Sequence, residues 1–574
     1  MPVQAYQYEK GFIRTDRGLL VDKGNQVVSV LHADFAGGAE GDGTHDDTEA
    51  FTMADAFAQT VGCRVFVPAG SYKLSSSVTM TSEVEFAAGA SVAPASGTSL
   101  TLLANNWVRP EWWGAVAAST KATAIDETVP LMAALATGLD VRLNRGWYGH
   151  TGLLILNAIG QSLYGSGQGR EAANKGTFLY KMSGTNYSLK ARQTHHVVED
   201  LCIHGGNLGG TGLVVEAAKY SSFSRITFQE VAGTSYCLSL ENAGVVNLCS
   251  FYDLDFPDAG NSSYGYIDMS NVLYSDFYNI RTGVPSGPLA INMDGSSGQC
   301  LAVNFFGAYV DGGIKITGGA GSINFYGLRG EDFNSGKQVF IDIDGSGVED
   351  VNVYGARVLR NNNDAVGDPP VRQPLFRVRN GAKGISFDGL KIRELTTTPI
   401  IFALDGADSL TISNVSLYSN EASVGIDCTG ARSDHVTVRD WYEHSGPTGS
   451  MSMKCAYLTM TNVSPPIVFT ARTGSGTAED PYIYANDVVA INCGGGITST
   501  HLSSGALALG TGMTDSGNLG VQIQDKFMKI PTYSQSGQPT AGNNGVCMWI
   551  DEDDNKVYLI ANPNGAGEKK IELT

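Results

Sequence analysis

No stretch of the 574-residue chain approaches the ~18 apolar residues of a membrane-spanning helix. The opening MPVQAYQYEKGF also lacks the apolar centre of a secretion signal. The sequence therefore predicts neither a membrane span nor simple secretion. Cysteine is scarce: the nine residues are odd in number, widely spaced and never arranged as CxxC. That excludes a disulfide framework and a zinc ribbon, and leaves small apolar core residues in a chain folded under reducing conditions. Charged residues make up only 17%, alongside 9% aromatics, which excludes a disordered chain. Basic residues are outnumbered 38 to 57, for a net charge of −19, which argues against nucleic acid as the main partner and leaves a sugar open. The 71 glycines follow no three-residue period, so collagen is excluded as well. What remains is a large, turn-rich β protein.

The middle of the chain repeats. A short phrase, apolar residues alternating around a small or polar anchor, recurs at Asp200, Arg225, Asp253, Asn279, Gly307, Gly327, Gly355, Gly389, Asn414, Asp440 and Asn462. Eleven anchors over 262 residues give a period of about 26. Between them lie strands ending in Asx-Gly-like turns at Asp294, Asp344, Asn380 and Asp405. Strands of four to six residues with no amphipathic helix between them fit neither βαβ units nor a sandwich. They fit a coil of three short strands stacked on copies of itself at ~4.8 Å per rung. The predicted fold is all-β, a right-handed parallel β-helix.

The open ends of such a stack need covers. DDTEAFTMADAFAQT reads as a helix with Asp46 as N-cap and Glu49 completing a capping box, its apolar face made by Ala50, Phe51, Ala54, Phe57 and Ala58. TVPLMAALATGL reads as a second helix with Pro130 in its first turn. After Pro465-Pro466 the repeat stops. The expected organisation is an N-terminal peptide over 1–32, a capping region with two short helices over 33–196, the β-helix over 197–464, and a C-terminal β domain over 465–574 that includes the hairpin VCMWIDEDDNKVYLIAN.

ADFAGGAEGDGTHDDTEAF (33–51) followed by VFVPAGSYKL is similar to the opening of pectate-lyase-like β-helix proteins, and NNWVRPEWWGA (105–115) resembles a motif of phage tailspikes. The chain as a whole resembles the capsular polysaccharide depolymerases of bacteriophages, those of Klebsiella phages most closely. The resemblance implies a virion tail protein that forms a homotrimer and cleaves a bacterial surface polysaccharide. It also implies attachment to the tail, baseplate or another tail fibre protein through the N-terminus. It further implies a sandwich-like C-terminal domain for trimerisation or carbohydrate binding, and action at the bacterial surface after synthesis in the host cytoplasm. No cofactor, metal, nucleic acid or membrane partner is expected.

Most candidate motifs have a plainer reading. Asp42, Asp46 and Asp47 suit a turn and helix cap better than a metal loop. GSGQGR (165–170) fails as a nucleotide fingerprint at Arg170 and reads as a loop. Asp551, Asp553 and Asn555 start like a calcium loop, but the required glycine and distal glutamate are missing. His195-His196 reads as a polar turn, and Trp112-Trp113 as packing residues.

The repeat register is a better filter. Four or five residues past the anchor, successive coils carry His204, Glu230, Asp258, Val284, Asp311 and Glu331-Asp332, then Arg360 and Arg393-Glu394. Stacked carboxylates repel, which raises one pKa as an acid/base pair requires; a solvated turn edge is the plainer reading. The preferred catalytic pair is Asp311 with Glu331, with Asp332 and Asp258 in reserve, for glycoside hydrolysis. Asp253, Asp255 and Asp268 form a second group among tyrosines whose faces suit sugars. The expected substrate-binding residues are Tyr309, Tyr266, Tyr264, His204, Arg329 and Asp268. For a lyase, His204, Tyr309, Arg281 and Arg329 supply a base and a carboxylate-neutralising group. A non-catalytic adhesin and a structural fibre stay open at this point.

Overall fold

In the computed structural model, side chains are described for residues 27–442 except 172–174, 185–186, 232–235, 241–243, 258–264, 284–288, 331–338, 360–373, 394–399, 419–424, 428–432 and 434; elsewhere the description is of strand backbone alone. The chain divides into two compact units, residues 1–466 with 474–487, and residues 467–473 with 488–574.

The first unit is an all-β parallel β-helix. Asp276–Tyr278 pairs in parallel with Ser250–Tyr252 one coil below and Asn304–Phe306 one coil above, residue for residue. Leu289–Asp294 does the same with Gly265–Met269 and Gly313–Thr317. The coil differs in detail from the three strands expected. One turn contains four short pairing segments, Asp276–Tyr278, Arg281–Thr282, Leu289–Asp294 and Cys300–Leu301. Segments fuse across a bend in some coils, as in Ala320–Tyr326. Stacking also begins before residue 197: Trp107–Val108 already pairs in parallel with Asp140–Arg142. Those early coils lack the anchor phrase, so the repeat does not mark them.

The phrase has a backbone cause. Ten of its eleven anchors, from Asp200 (φ 61°) and Asn279 (φ 53°) through Gly327 (φ 67°) to Asp440 (φ 53°), are left-handed; the eleventh, Asn462, lies outside the residues described with side chains. A one-residue corner must reverse the pleat, and Gly, Asn and Asp tolerate that conformation best. The corner residues also bond to one another along the axis. Arg225 binds Asp200 through Nε (2.7 Å), and Asn279 Nδ2 donates to Asp253 (3.1 Å).

Strand alternation then separates inside from outside. Inward, Phe223, Phe251, Phe277, Phe305 and Phe325 stack at centroid spacings of 5.1, 4.5, 4.7 and 4.9 Å. All five are buried. Each such pair contributes ~0.5–1.5 kcal/mol beyond area burial. Cys202, Cys237, Cys249 and Cys300 are buried free thiols, as expected, whereas Cys63 is half-exposed.

Helix α1 (Thr48–Val61) buries Ala50, Phe51, Ala54 and Ala58. The capping differs from the expected box: Asp47 is the N-cap, and its side chain does not cap. Buried Asp47 instead accepts the amides of Glu40 (2.8 Å) and Lys73 (3.2 Å). Asp46 accepts those of Thr48 and Ser75, both at 3.1 Å. Asp46 and Asp47 therefore stitch the turn to the next strand. Helix α2 (Thr128–Ala136) buries Leu131, Ala134 and Leu135. Trp112 stacks on Phe86 at 4.5 Å, a packing role as predicted. His196 departs from the expected polar turn. It is fully buried, with Nδ1 2.8 Å from the Gln161 carbonyl, while exposed His195 stacks on Tyr220.

In the second unit Val546–Asp551 and Val557–Ala561 form the expected antiparallel hairpin, extended by Lys569–Leu573. Residues 552–556, the acidic tip of that hairpin, lie outside the described residues.

Candidate functional site

The densest polar cluster lies on one flank of the stack. Its floor is His204, in the strand Val197–Leu208 and fully buried. Trp147 and Tyr180 meet its ring edge-on at 5.3 and 5.4 Å. The Gly206 amide donates to Nδ1 (3.1 Å), so the neutral ring carries its proton on Nε2. That N–H points at two carboxylates, Glu171 at 3.1 Å and Glu230 at 3.5 Å. Lys121 closes the group, 2.7 Å from Glu230 and 3.3 Å from Glu171.

Burial dominates at His204 and lowers its pKa, against the opposing hydrogen bond from Glu171, so the ring is held neutral. Burial pushes Glu171 upward, but His204 and Lys121 outweigh it and hold the carboxyl below its usual value. At Lys121 burial acts downward, and Glu230 and Glu171 more than offset it. The two glutamates are partly exposed, at 38% and 28%, so they face solvent over a neutral histidine.

Ligand atoms of Glu171, His204 and Glu230 all lie within 4.8 Å of one another, a spacing that suits a metal ion. The donor set does not. A metal on Nε2 would move the ring proton to Nδ1, where the Gly206 amide already donates. Glu40, Asp42 and His45 form a second such group, but His45 Nδ1 donates to both carboxylates (2.8 and 2.7 Å).

The 165–170 loop is part of this flank. Arg170 pairs with Asp255 at 2.5 Å, and the Glu171 amide donates to Gln229 (2.9 Å). Asp255 keeps a buried Oδ1 with no hydrogen-bond partner. Asp255 is opposite Arg281 in register, and the next coils place Tyr309, Arg329, Arg357 and Lys391 in the same outward column.

On the other side of the left-handed corner lies a second outward ladder. Tyr252, Tyr278, Phe306, Tyr326 and Tyr354 stack at 4.7, 4.8, 5.0 and 5.3 Å. Beside them Asp276, Asn304, Asn324 and Asn352 pass amide hydrogen bonds up the axis at 2.8, 2.9 and 3.1 Å.

The anticipated column of acids is broken. His204 is opposite Gln229 rather than Glu230, because His204 and Gln229 both lie four residues past their anchors and Glu230 lies five; Gln229 in turn faces Asp258. Further up, Glu331 faces Leu359 and Leu359 faces Arg393. Between the coils of Asp311 and Glu331 the pairing described is the single bridge Tyr309–Arg329. Asp311 is half-buried and its amide bonds Thr282 Oγ1 (2.9 Å). The side chains of Glu331 and Asp258, and all of Asp332 and Tyr264, lie outside the described residues.

Two expected sugar contacts are corrected. Tyr266 is buried against Phe256, and His204 lies beneath its glutamates, so neither offers a surface. Both faces of Tyr278 and one face of Tyr252 are likewise taken by ladder neighbours. Asp268 is half-buried, accepts from Asn292 (2.8 Å), and has its pKa raised by burial. Tyr309 is half-buried and Arg329 exposed. Lys121 and Glu171 were missed. Lys121 opens the short 3-10 helix Lys121–Thr123 and Glu171 follows the 165–170 loop, and no spacing ties either to His204.

No family model and no curated protein matches the sequence. Among solved structures, ORF18 of Geobacillus virus E2 is 12% identical, covering 82% of this chain and 86% of that one, with a TM-score of 0.31. The gp42 tailspike of Acinetobacter phage vb_AbaP_AS12 is 12% identical over 82% of both chains, TM-score 0.38. DFA-IIIase from Arthrobacter chlorophenolicus A6, in complex with GF2, is 14% identical over 59% of this chain and 95% of that one, TM-score 0.40. At these scores none of the likenesses assigns a chemistry.

Proposed function

We propose that the chain is a bacteriophage tailspike that binds a bacterial surface polysaccharide and cleaves it by glycoside hydrolysis. The observation that carries the reading is the carboxylate pair Glu171 and Glu230, within 4.8 Å over a neutral His204. Retaining glycosidases hold their carboxyls ~5–5.5 Å apart, too close for a water between them. Glu171, kept ionised by His204 and Lys121, is the nucleophile, and Glu230 is the second carboxyl of the pair. Asp311 with Glu331 is the second pair, with Asp332 and Asp258 behind it. The proposal includes a homotrimer attached to the tail through the N-terminus, as the opening motifs imply. Capsule type stays unassigned.

A second reading is β-elimination, favoured by Tyr309 stacked in register between Arg281 and Arg329, with the Arg281 guanidinium 5.9 Å from its ring centre. A tyrosine beside cations suits a base next to a neutralised uronate.

The test is purified capsule treated with wild type, Glu171→Gln, Glu230→Gln, Asp311→Asn and Glu331→Gln, following viscosity, reducing ends and unsaturated-uronate absorbance. New reducing ends without that absorbance, reduced about 10³-fold in the first two variants alone, support hydrolysis at this pair. Absorbance rising with reducing ends means elimination. Full activity in Glu171→Gln and Glu230→Gln removes the pair, and binding without chain shortening replaces the enzyme with an adhesin.

A further inference from the structure

Arg281, Arg329, Arg357 and Lys391 are exposed and occupy one column on successive coils, interrupted only by Tyr309. Arg393, also exposed, stands in the next outward column. Like charges one rung apart repel, and a stack normally interleaves acids with them. The opposite column does so: Asp342 binds Arg377 and Arg379 at 2.6 and 3.3 Å. Among the described residues, none of the four cations is in an ion pair, and Arg281 has only the Tyr309 ring. In a chain of net charge −19 this column is a local positive stripe that, among the described residues, no acid neutralises.

We infer that this column is a binding track for an acidic polysaccharide, its carboxylates spaced along the cations and its chain running parallel to the stack axis. The inference deepens the glycan-cleaving reading and rests on it for the direction of travel. The track starts at Asp255, which Arg170 of the site loop grips, so it leads to the flank that holds Glu171 and Glu230.

The neighbouring ladder favours sugar over nucleic acid. Bases bind single-strand proteins by stacking on free aromatic faces. Here the faces of Tyr278, Phe306 and Tyr326 are filled by one another, and only edges and phenol hydroxyls remain for a ligand rich in hydroxyls. The overall negative charge also disfavours a dense phosphate chain more than a glycan with sparser carboxylates.

Binding decides it without any cleavage. Isothermal titration of the full chain uses polygalacturonate oligomers, the same oligomers after carboxyl reduction, and a single-stranded oligonucleotide of matched charge. Wild type should bind the acidic oligomer at least about tenfold more tightly than the reduced one. The quadruple variant Arg281→Gln, Arg329→Gln, Arg357→Gln, Lys391→Gln should lose that tenfold margin while melting as wild type does. A triple Arg→Lys variant at 281, 329 and 357 should keep most of it, since charge rather than shape is required. Equal binding of the acidic and reduced oligomers, no binding of either, or an unchanged margin in the quadruple variant overturns the track. Oligonucleotide binding as tight as the polyuronate overturns it in favour of a nucleic-acid surface. If the capsule assay fails while this margin stands, the cleavage reading falls and the track survives.

Discussion

The two outward ladders that flank the left-handed corner are three residues apart in sequence and opposite in character. On one side, Tyr252 to Tyr354 stack ring on ring while Asn304, Asn324 and Asn352 pass hydrogen bonds up the axis. Repetition there is favourable, because an aromatic face or an amide satisfies a copy of itself. On the other side, Arg281, Arg329, Arg357 and Lys391 repeat a charge, and a charge cannot satisfy its copy. The first ladder completes itself within the fold; the second is completed only by a ligand. A stacked coil thus separates residues that hold it together from residues that serve something else, simply by what repetition does to each type.

The comparison predicts a gradient of effects. Phe277→Ala, in the inner ladder behind the aromatic face, removes two ring contacts from a fully buried site and should cost ~3–5 kcal/mol in chemical unfolding. A loss near zero would mean that the rungs do not carry stability through their interior.

Charge forced into the interior should behave like charge repeated outside. His150 is fully buried, with Nδ1 donating to the Gly152 carbonyl (2.9 Å), and burial pushes its pKa down to about 4. The unfolded ring titrates near ~6.5. The unfolded state therefore binds the extra proton first, and stability falls as pH drops from about 6.5 to 4, by up to about 3 kcal/mol. The urea midpoint should follow that slope, and His150→Gln should flatten it. A midpoint constant across the window contradicts the burial.

At the corner between the ladders, Gly327 has φ 67° and open space where a Cβ would stand. Gly327→Ala should therefore cost only the left-handed strain, ~1–2 kcal/mol, with no steric clash. Asn279→Gly, at a corner one coil below Gly307, keeps the left-handed conformation but loses the hydrogen bond to Asp253, and should cost ~0.5–1.5 kcal/mol.

Sequence showed the architecture more clearly than the site, for a physical reason. The corner residue recurs because every coil must turn, and so it writes a period into the chain that spans Asp200 to Asp440. The coils from Trp107 to His196 stack by the same backbone pairing without that corner phrase, and their start went unseen. At the site the signal was one-sided. His204 and Glu230 lie on paired strands and were found by counting from the anchor, though Glu230 is one residue further from its anchor than His204 and so falls out of register with it. Lys121 opens a 3-10 helix and Glu171 follows a loop, both outside the repeat, where position follows from tertiary packing and no offset predicts it. The cationic column was legible only in part. Arg281 and Arg329 stood out as possible partners of a uronate, but their alignment with Arg357 and Lys391 depends on coils of unequal length, which only the pairing register resolves.

The central claim, that the aromatic ladder is structural and the cationic one is not, is tested most directly by the melting temperature of the Arg281→Gln, Arg329→Gln, Arg357→Gln, Lys391→Gln variant at low salt. Relief of repulsion predicts a value equal to or above wild type, with the difference vanishing as salt is added. A melting temperature clearly below wild type would contradict the claim, because the cations would then be holding the coil together.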